Sequence, residues 1–263
     1  MIEDLNDLAL ADGWLSGYFT NASDPSKAVL QFSGGKDSLA CLYLMRPYWD
    51  MLTVMWCNTG AAFPETIELM SRIRAMVPHF IEVRGDQPAH IAQMGLPADI
   101  VPVRNSAVGK MFHPSDGVLL QSYLECCLGS FWLPMQNATV DLGAKIIIRG
   151  QRKADARRAP IYSGYVENGI MIRLPIEKWS EQQVFDYLRR KGIEIPAHYE
   201  YTKSSIDCWS CTAFADESNG KMRYMRDKHP AMWEELRGRL RLVVEAAQHE
   251  LDYVKANLLD AKG

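Results

Sequence analysis

The stretch that most constrains this chain is Gln31-Phe32-Ser33-Gly34-Gly35-Lys36-Asp37-Ser38, set between the apolar runs Ala28-Val29-Leu30 and Leu39 to Met45. The first run reads as a short buried strand and the second as a helix packed against it. Two consecutive glycines at the junction allow positive φ and let backbone N–H groups approach a ligand with no Cβ in the way. The helix that follows adds its unpaired donors and positive dipole end. Such a nest favours an anion with several oxygens, which means phosphate, pyrophosphate or sulfate. Lys36 adds a point charge, and Ser33 and Ser38 add hydroxyl donors. An isolated Gly-Gly is more often an ordinary capped turn. Here the polar or glycine positions 33–38 run without interruption between strand and helix. The Walker A spacing, Gly-x-x-x-x-Gly-Lys, is absent.

Ser33-Gly34-Gly35-Lys36-Asp37-Ser38 resembles the hallmark of the PP-loop superfamily. Members bind adenine nucleotides, and many cleave ATP between the α and β phosphates, with Mg²⁺ accompanying the pyrophosphate. The resemblance therefore implies nucleotide contacts from Ser33, Gly34, Gly35, Lys36, Asp37 and Ser38, with Lys36 in a catalytic role. A second apolar run, Met51 to Cys57, reads as a strand and leads into Asn58-Thr59-Gly60 and then Phe63-Pro64-Glu65-Thr66. Ligands of parallel α/β sheets lie outside the carboxyl ends of the strands, so Asn58, Thr59 and Gly60 are expected to line the same crevice. This segment is similar to the Asp-Thr-Gly…Phe-Pro-Glu-Thr segment of the phosphoadenylyl-sulfate and adenylyl-sulfate (PAPS/APS) reductases, a branch of the PP-loop proteins. Asn58 stands where those reductases usually carry Asp, so a neutral amide replaces a charge.

Three further segments extend the pattern. His79 to Val83 reads as a third strand and Lys145 to Ile148 as a fourth. The fourth strand ends in Arg149-Gly150-Gln151-Arg152-Lys153-Ala154-Asp155-Ala156-Arg157-Arg158. A basic run is usually a solvated face, but at a strand's carboxyl end guanidinium forks suit phosphate or sulfate. The segment resembles the reductases' Gly-x-Arg…Arg element, which implies a nucleotide contact at Gly150 and catalytic roles for Arg152 and Arg157. Leu174 to Pro196, together with Tyr199 onward, resembles another reductase segment, and it contains a helix start with Ser180 as cap and Gln183 completing a capping box.

Four cysteines fall in two pairs, Cys126-Cys127 and Cys208-x-x-Cys211. Buried thiols and zinc are both open readings of these spacings, although adjacent residues have difficulty aiming two sulfurs at one ion. A cluster with a separate iron at each corner accepts adjacent ligands more easily. With Ser205, Ile206 and Thr212, the pattern resembles the ligand set of the 4Fe-4S cluster in assimilatory adenylyl-sulfate reductases. That resemblance implies Cys126, Cys127, Cys208 and Cys211 as cluster ligands. Of the two remaining thiols, Cys41 is expected to face the helix packing, while Cys57 sits in an apolar strand near the crevice mouth.

The remaining chain is less distinctive. Residues 1–27 read as one helix ending in a turn-rich stretch, and residues 85–117 as a loop-rich insert without a firm period, with His90 and His113 inside it. Residues 131–142 look helical. From Lys221 on, apolar residues recur at three- and four-residue steps to Leu258, which suits a helix that packs on the core or forms a homodimer. The chain ends Leu259 to Gly263, where the resemblance would place a Glu-Cys-Gly nucleophile. A net charge of -3 argues against a generally basic coat, and 48% hydrophobic with 23% charged residues indicates a globular chain. No apolar stretch is long enough for a membrane span and the acidic start is unlike a signal peptide, so a cytoplasmic enzyme is expected.

The expected fold is an α/β doubly wound parallel sheet of adenine nucleotide alpha hydrolase-like type. Residues 1–215 are assigned to the nucleotide-binding domain and 216–263 to a helical extension. The leading functional expectation is an iron-sulfur PP-loop enzyme that cleaves ATP to AMP and pyrophosphate to activate an acceptor for thiolation. The acceptor could be a nucleic acid, and the sulfur donor a cysteine desulfurase. Two alternatives stand beside it. One is a PAPS or APS reductase making sulfite with a thioredoxin-like partner; the other is a non-catalytic adenine-nucleotide sensor.

Overall fold

The computed structural model describes residues 2–21, 27–113, 116–155, 160–206, 208–214 and 219–259. Among them are eight strands: β1 Ala28–Gln31, β2 Leu52–Asn58, β3 Phe80–Arg84, β4 Leu96–Ala98, β5 Leu120–Ser122, β6 Ile146–Ile148, β7 Val166–Glu167 and β8 Ile170–Arg173. The chain divides into two compact units.

The first unit comprises residues 1–58, 64–84 and 135–197. Its six-stranded sheet has the order β3-β2-β1-β6-β8-β7, parallel except for the edge strand β7. β1 is buried on both faces, with Ala28, Val29 and Leu30 at 0% exposure, as an unbroken apolar run requires in a covered parallel sheet. Val29, Met55, Cys57 and Val83 pack with Met135 and Ala144, so the helix Leu133–Asp141 is drawn onto the sheet through Met135. The helix Lys36–Leu44, which follows β1, packs on the helix Glu181–Arg190. Strand order reverses between β1 and β6, and the crevice beyond that reversal is where open α/β sheets hold ligands. The expected α/β architecture with a mainly parallel sheet is present.

Two local features of this unit differ from the sequence reading. The N-terminal segment forms two helices, Ile2–Ala11 and Gly13–Asn21. Asp12 separates them by accepting the Leu15 N–H at 2.9 Å, and its carboxylate also binds the Arg173 guanidinium. A β-hairpin, β7–β8, stands where the sequence reading places no strand: Asn168 (φ 50°) and Gly169 (φ 78°) make its two-residue turn. Asn-Gly is the commonest signal for such a turn and was present in the sequence.

The second unit comprises residues 59–63, 85–134 and 198–263. The segment 85–117 is not loop-rich. It holds the helix Gln87–Met94, capped by Asp86 accepting the Ala89 N–H at 3.0 Å, then β4, then the short helix Ala107–Phe112 capped by Ser106. β4 pairs in parallel with β5. Helical structure ahead of 131–142 begins at Tyr123, with a π-turn at Leu128–Trp132. The tail forms two helices, Asn219–Lys228 and Pro230–Val254, because Pro230 has no N–H to continue the first. Phe63, Ile206, Tyr224, Met225 and Leu236 form the core of this unit. Among the described residues, no helix is long and apolar enough to cross a membrane.

Candidate functional site

The loop after β1 is tied together by its own hydroxyls and backbone. Gly34 adopts φ +83°, which favours glycine at this position, and its Cα faces the tip of Met70. Gly35 does not use positive φ; it is extended (φ -74°, ψ 163°) and serves as the N-cap of Lys36–Leu44, which starts three residues earlier than the apolar run suggests. Gly35 lacks a side-chain cap, so hydroxyls take over the tying of the loop. The Ser33 hydroxyl accepts the Gly35 N–H at 3.3 Å and lies 3.2 Å from Ser38 Oγ, and Ser38 Oγ donates to the Gly35 carbonyl at 2.9 Å. Ser33 and Ser38 thus brace the turn from inside.

Lys36 is buried, at 3% exposure. Its Nζ is 3.0 Å from Asp37 Oδ2 and 3.8 Å from Glu181 Oε1, and it lies 5.9 Å from the Phe185 ring centre. Burial raises the Asp37 carboxyl above its ordinary value, against the pull of Lys36 and Arg152. Arg152, also buried, sets its Nε 2.8 Å from Asp37 Oδ1 and its Nη2 2.7 Å from Asp155 Oδ1, and the Arg152 N–H donates to Asp155 Oδ2 at 2.7 Å. Gly150 makes this approach feasible: a Cβ there would lie 2.6 Å from the Asp37 carbonyl carbon and 2.7 Å from the Ser38 nitrogen. Ser33, Gly34, Gly35, Lys36, Asp37, Ser38, Gly150 and Arg152 are therefore at one place, at the carboxyl ends of β1 and β6.

Arg149, which opens the basic run, serves the sheet. The Arg149 N–H continues the ladder to the Arg173 carbonyl at 3.0 Å, and its Nε donates to Gln31 Oε1 at 2.7 Å. Arg157 and Arg158 lie outside the described residues. Cys41 is fully buried and its thiol points at the Arg149 carbonyl, 3.8 Å away. Burial pushes that thiol well above the usual cysteine range, so Cys41 is unsuited to be a nucleophile. Alkylation of the folded protein at pH 8 followed by peptide mass mapping is expected to leave Cys41 unmodified until denaturant is added. Labelling in the native state would refute its assignment as an inert core thiol.

Asn58 ends β2 and donates to Glu82 Oε1 of the neighbouring strand at 2.9 Å, while Arg74 binds the other oxygen of Glu82. The Asn58 bond is the chief reason the Glu82 carboxyl lies below its ordinary value. This explains the absence of Asp at position 58, since a second carboxylate here would face Glu82. A lowered Glu82 stabilises the fold above the ordinary Glu range and loses that contribution as pH falls through the lowered value. Asn58→Asp is expected to reverse this, costing about 1 kcal/mol at pH 8 and less near pH 4. Urea melts at the two pH values test it; an equal loss at both would refute the account.

Thr59 and Gly60 belong to the second unit. There the Thr59 hydroxyl lies 3.2 Å from Cys208 Sγ, and the Thr59 carbonyl accepts the Gln87 N–H at 2.8 Å. Gly60 adopts φ +77° beside Pro88. The Cys208–Cys211 turn closes through the Cys211 N–H to the Cys208 carbonyl at 3.3 Å. Its other residues are tied down as well. The Trp209 N–H donates to the Ala61 carbonyl at 2.9 Å, Ser210 Oγ donates to Gln87 Oε1 at 2.5 Å, and Thr212 Oγ1 donates to the Pro97 carbonyl at 2.5 Å.

Cys126 sits in the helix Tyr123–Cys127, which opens with a capping box of Ser122 and Glu125. Burial, reinforced by neighbouring Cys211, pushes its thiol up to about 11, while hydrogen bonds from Ser130 and Gln87 pull the other way. Cys126 and Cys211 are thus electrostatic neighbours, and Gln87 links the two cysteine segments. Among the described residues, no three His, Cys, Asp or Glu side chains are grouped to hold a metal ion. The four sulfurs lie in one unit, Cys126 and Cys211 buried and Cys127 and Cys208 half-buried, and soft thiolates of this kind are the donor chemistry of iron-sulfur groups and of zinc alike.

Residues 27–214 match the phosphoadenosine phosphosulfate reductase domain, which covers well over half of the chain. The chain belongs to the phosphoadenosine phosphosulfate reductase domain family. Within the family it is 23% identical over 173 residues to the phosphoadenosine 5'-phosphosulfate reductase of Proteus mirabilis, a match spanning 64% of each chain. It is 24% identical over 247 residues to an uncharacterised protein of Methanocaldococcus jannaschii, covering 92% of this chain and 48% of that one. Its fold resembles that of the phosphoadenylyl-sulfate reductase of Candida auris, with a TM-score of 0.50 at 16% identity over 75% of this chain and 95% of that one. The family match takes in the loop, the Gly150–Arg152 segment and all four paired cysteines.

Proposed function

We propose that this member of the reductase domain family is a PP-loop enzyme that cleaves ATP to AMP and pyrophosphate, activating an acceptor for sulfur transfer. The observation that carries this reading is the pair of buried cations, Lys36 and Arg152, set around the N-terminus of Lys36–Leu44 at the strand-order reversal. Two cations and a helix N-terminus suit a leaving group that gains charge as the bond between the α and β phosphates breaks. The acceptor oxygen attacks the α-phosphorus and the bridging oxygen departs with pyrophosphate. Lys36 and the first backbone amides of the helix hold the departing oxygens with Mg²⁺, Ser33 and Ser38 brace the loop that presents them, and Arg152 stabilises the charge from the end of the neighbouring strand. Arg157 is assigned the same task from the resemblance of its segment to the reductases' Gly-x-Arg…Arg element alone.

Cys126, Cys127, Cys208 and Cys211 would hold a 4Fe-4S cluster, whose chemistry when bound is to carry the sulfur or the electrons of the transfer. The names of the curated relatives favour a second reading, reduction of a sulfonucleotide to sulfite. One assay separates the two readings. Anaerobically purified protein is given ATP with candidate acceptors, and in parallel adenylyl sulfate or its 3'-phosphate with a dithiol. Pyrophosphate from ATP supports the first reading. Sulfite without pyrophosphate overturns it in favour of the second.

A further inference from the structure

Lys221 is a buried cation directed at the cysteine turn. It is 9% exposed, near the start of the helix Asn219–Lys228, and its Nζ donates to the Cys208 carbonyl at 2.7 Å and to the Cys211 carbonyl at 3.4 Å. The Cys208 carbonyl also accepts the Cys211 N–H, so the ammonium grips a turn already closed by its own backbone. Gly220 permits the approach. A Cβ there would lie 2.5 Å from Thr202 Cβ and 2.6 Å from the Tyr201 carbonyl oxygen, so a larger residue would hold this end of the helix away. The anchors from Ala61, Gln87 and Pro97 are neutral, and a second cation, Arg239, lies over the Trp209 ring with its guanidinium 5.5 Å from the ring centre.

We propose that Lys221 is a positioning residue of the cysteine centre: it clamps the Cys-x-x-Cys turn and sets a fixed positive charge against the electron-rich sulfurs. The proposal rests on the reading of the four cysteines as iron-sulfur ligands. A one-electron reduction adds negative charge to the cluster, and a nearby buried cation favours that state and raises the potential. The hydrogen bonds to both cysteine carbonyls act separately, by holding the two sulfurs in place against ligand loss.

Three variants of the full chain separate charge from clamp. Lys221→Arg keeps the charge and donors, Lys221→Gln keeps a donor without charge, and Lys221→Met keeps neither. Each is reconstituted anaerobically with iron and sulfide, titrated with dithionite while the visible absorbance is followed, and exposed to an iron chelator. The expected result is a potential near wild type for the Arg variant and a more negative one for Gln and Met. Chelator-driven iron loss is expected to be severalfold faster in Met alone. A fully loaded Gln variant with the wild-type potential overturns the proposal and leaves the cluster assignment standing; it also decides the matter should the Met variant not fold. Wild-type protein that takes up no iron overturns both.

Discussion

Lys36→Met is expected to lower pyrophosphate release from ATP by at least about a hundredfold, roughly 3 kcal/mol of lost transition-state stabilisation. The side chain is 4% exposed and lies against two carboxylates and an aromatic ring, so a substitute cation from solvent has no ready route to its place. The same variant carries a pH signature. Asp37 is already held above its ordinary value because burial outweighs its cationic neighbours, and losing Lys36 removes one of the two. A carboxyl with a raised folded value favours the fold while protonated, and that contribution is lost as pH rises through the folded value. The stability deficit of Lys36→Met relative to wild type should therefore be small near pH 4 and grow toward pH 8. Thermal melts at the two pH values, beside the pyrophosphate assay, give the check. Turnover within threefold of wild type would remove Lys36 from the chemistry.

Arg152→Met is expected to damage both the fold and the ligand site. Its guanidinium is 7% exposed and serves Asp37 and Asp155, which are 23% and 28% exposed. Removing one member of a buried ion pair typically costs ~3–5 kcal/mol, and the partial solvation of both carboxylates lowers the expectation here to about 2–3 kcal/mol. Nucleotide affinity should fall at least about tenfold, because a charge-assisted fork to phosphate oxygens is lost. Arg152→Lys is expected to recover stability only in part, since one ammonium cannot replace two donors that point in different directions. Urea unfolding and calorimetric titration with ATP measure the two effects separately. Unchanged ATP affinity in a folded Arg152→Met protein would mean that the residue is a structural brace only.

Residues close in sequence were the legible part of this protein. The strand, loop and helix around Ser33 to Ser38 could be read because the apolar runs and the polar interval between them are contiguous, and the family assignment follows the same segment. The Ser180–Gln183 capping box was read for the same reason. The segment 85–117 was opaque because β4 and its partner β5 have three residues each, too few for a period, and pair across a long interval. The partners of Asn58-Thr59-Gly60 were equally hidden: Asn58 bonds Glu82 and Thr59 lies beside Cys208, both remote in sequence. The basic run after β6 showed its charge but not its division of labour, in which Arg149 extends the sheet and Arg152 turns to Asp37.

The amino-acid order by itself determined that a donor-rich loop follows a buried strand, that cations follow another, and that sulfurs come in two pairs, because each depends on residues within one turn or strand of one another. Tertiary structure alone decided which of these meet. Parallel register between β1 and β6 sets Leu30 opposite Ile148, so the two chains leave the sheet side by side and Gly150 comes against the backbone of Asp37. Contact between residues more than a hundred positions apart depends on how strands pair and cores pack, and no local pattern of side chains encodes that distance.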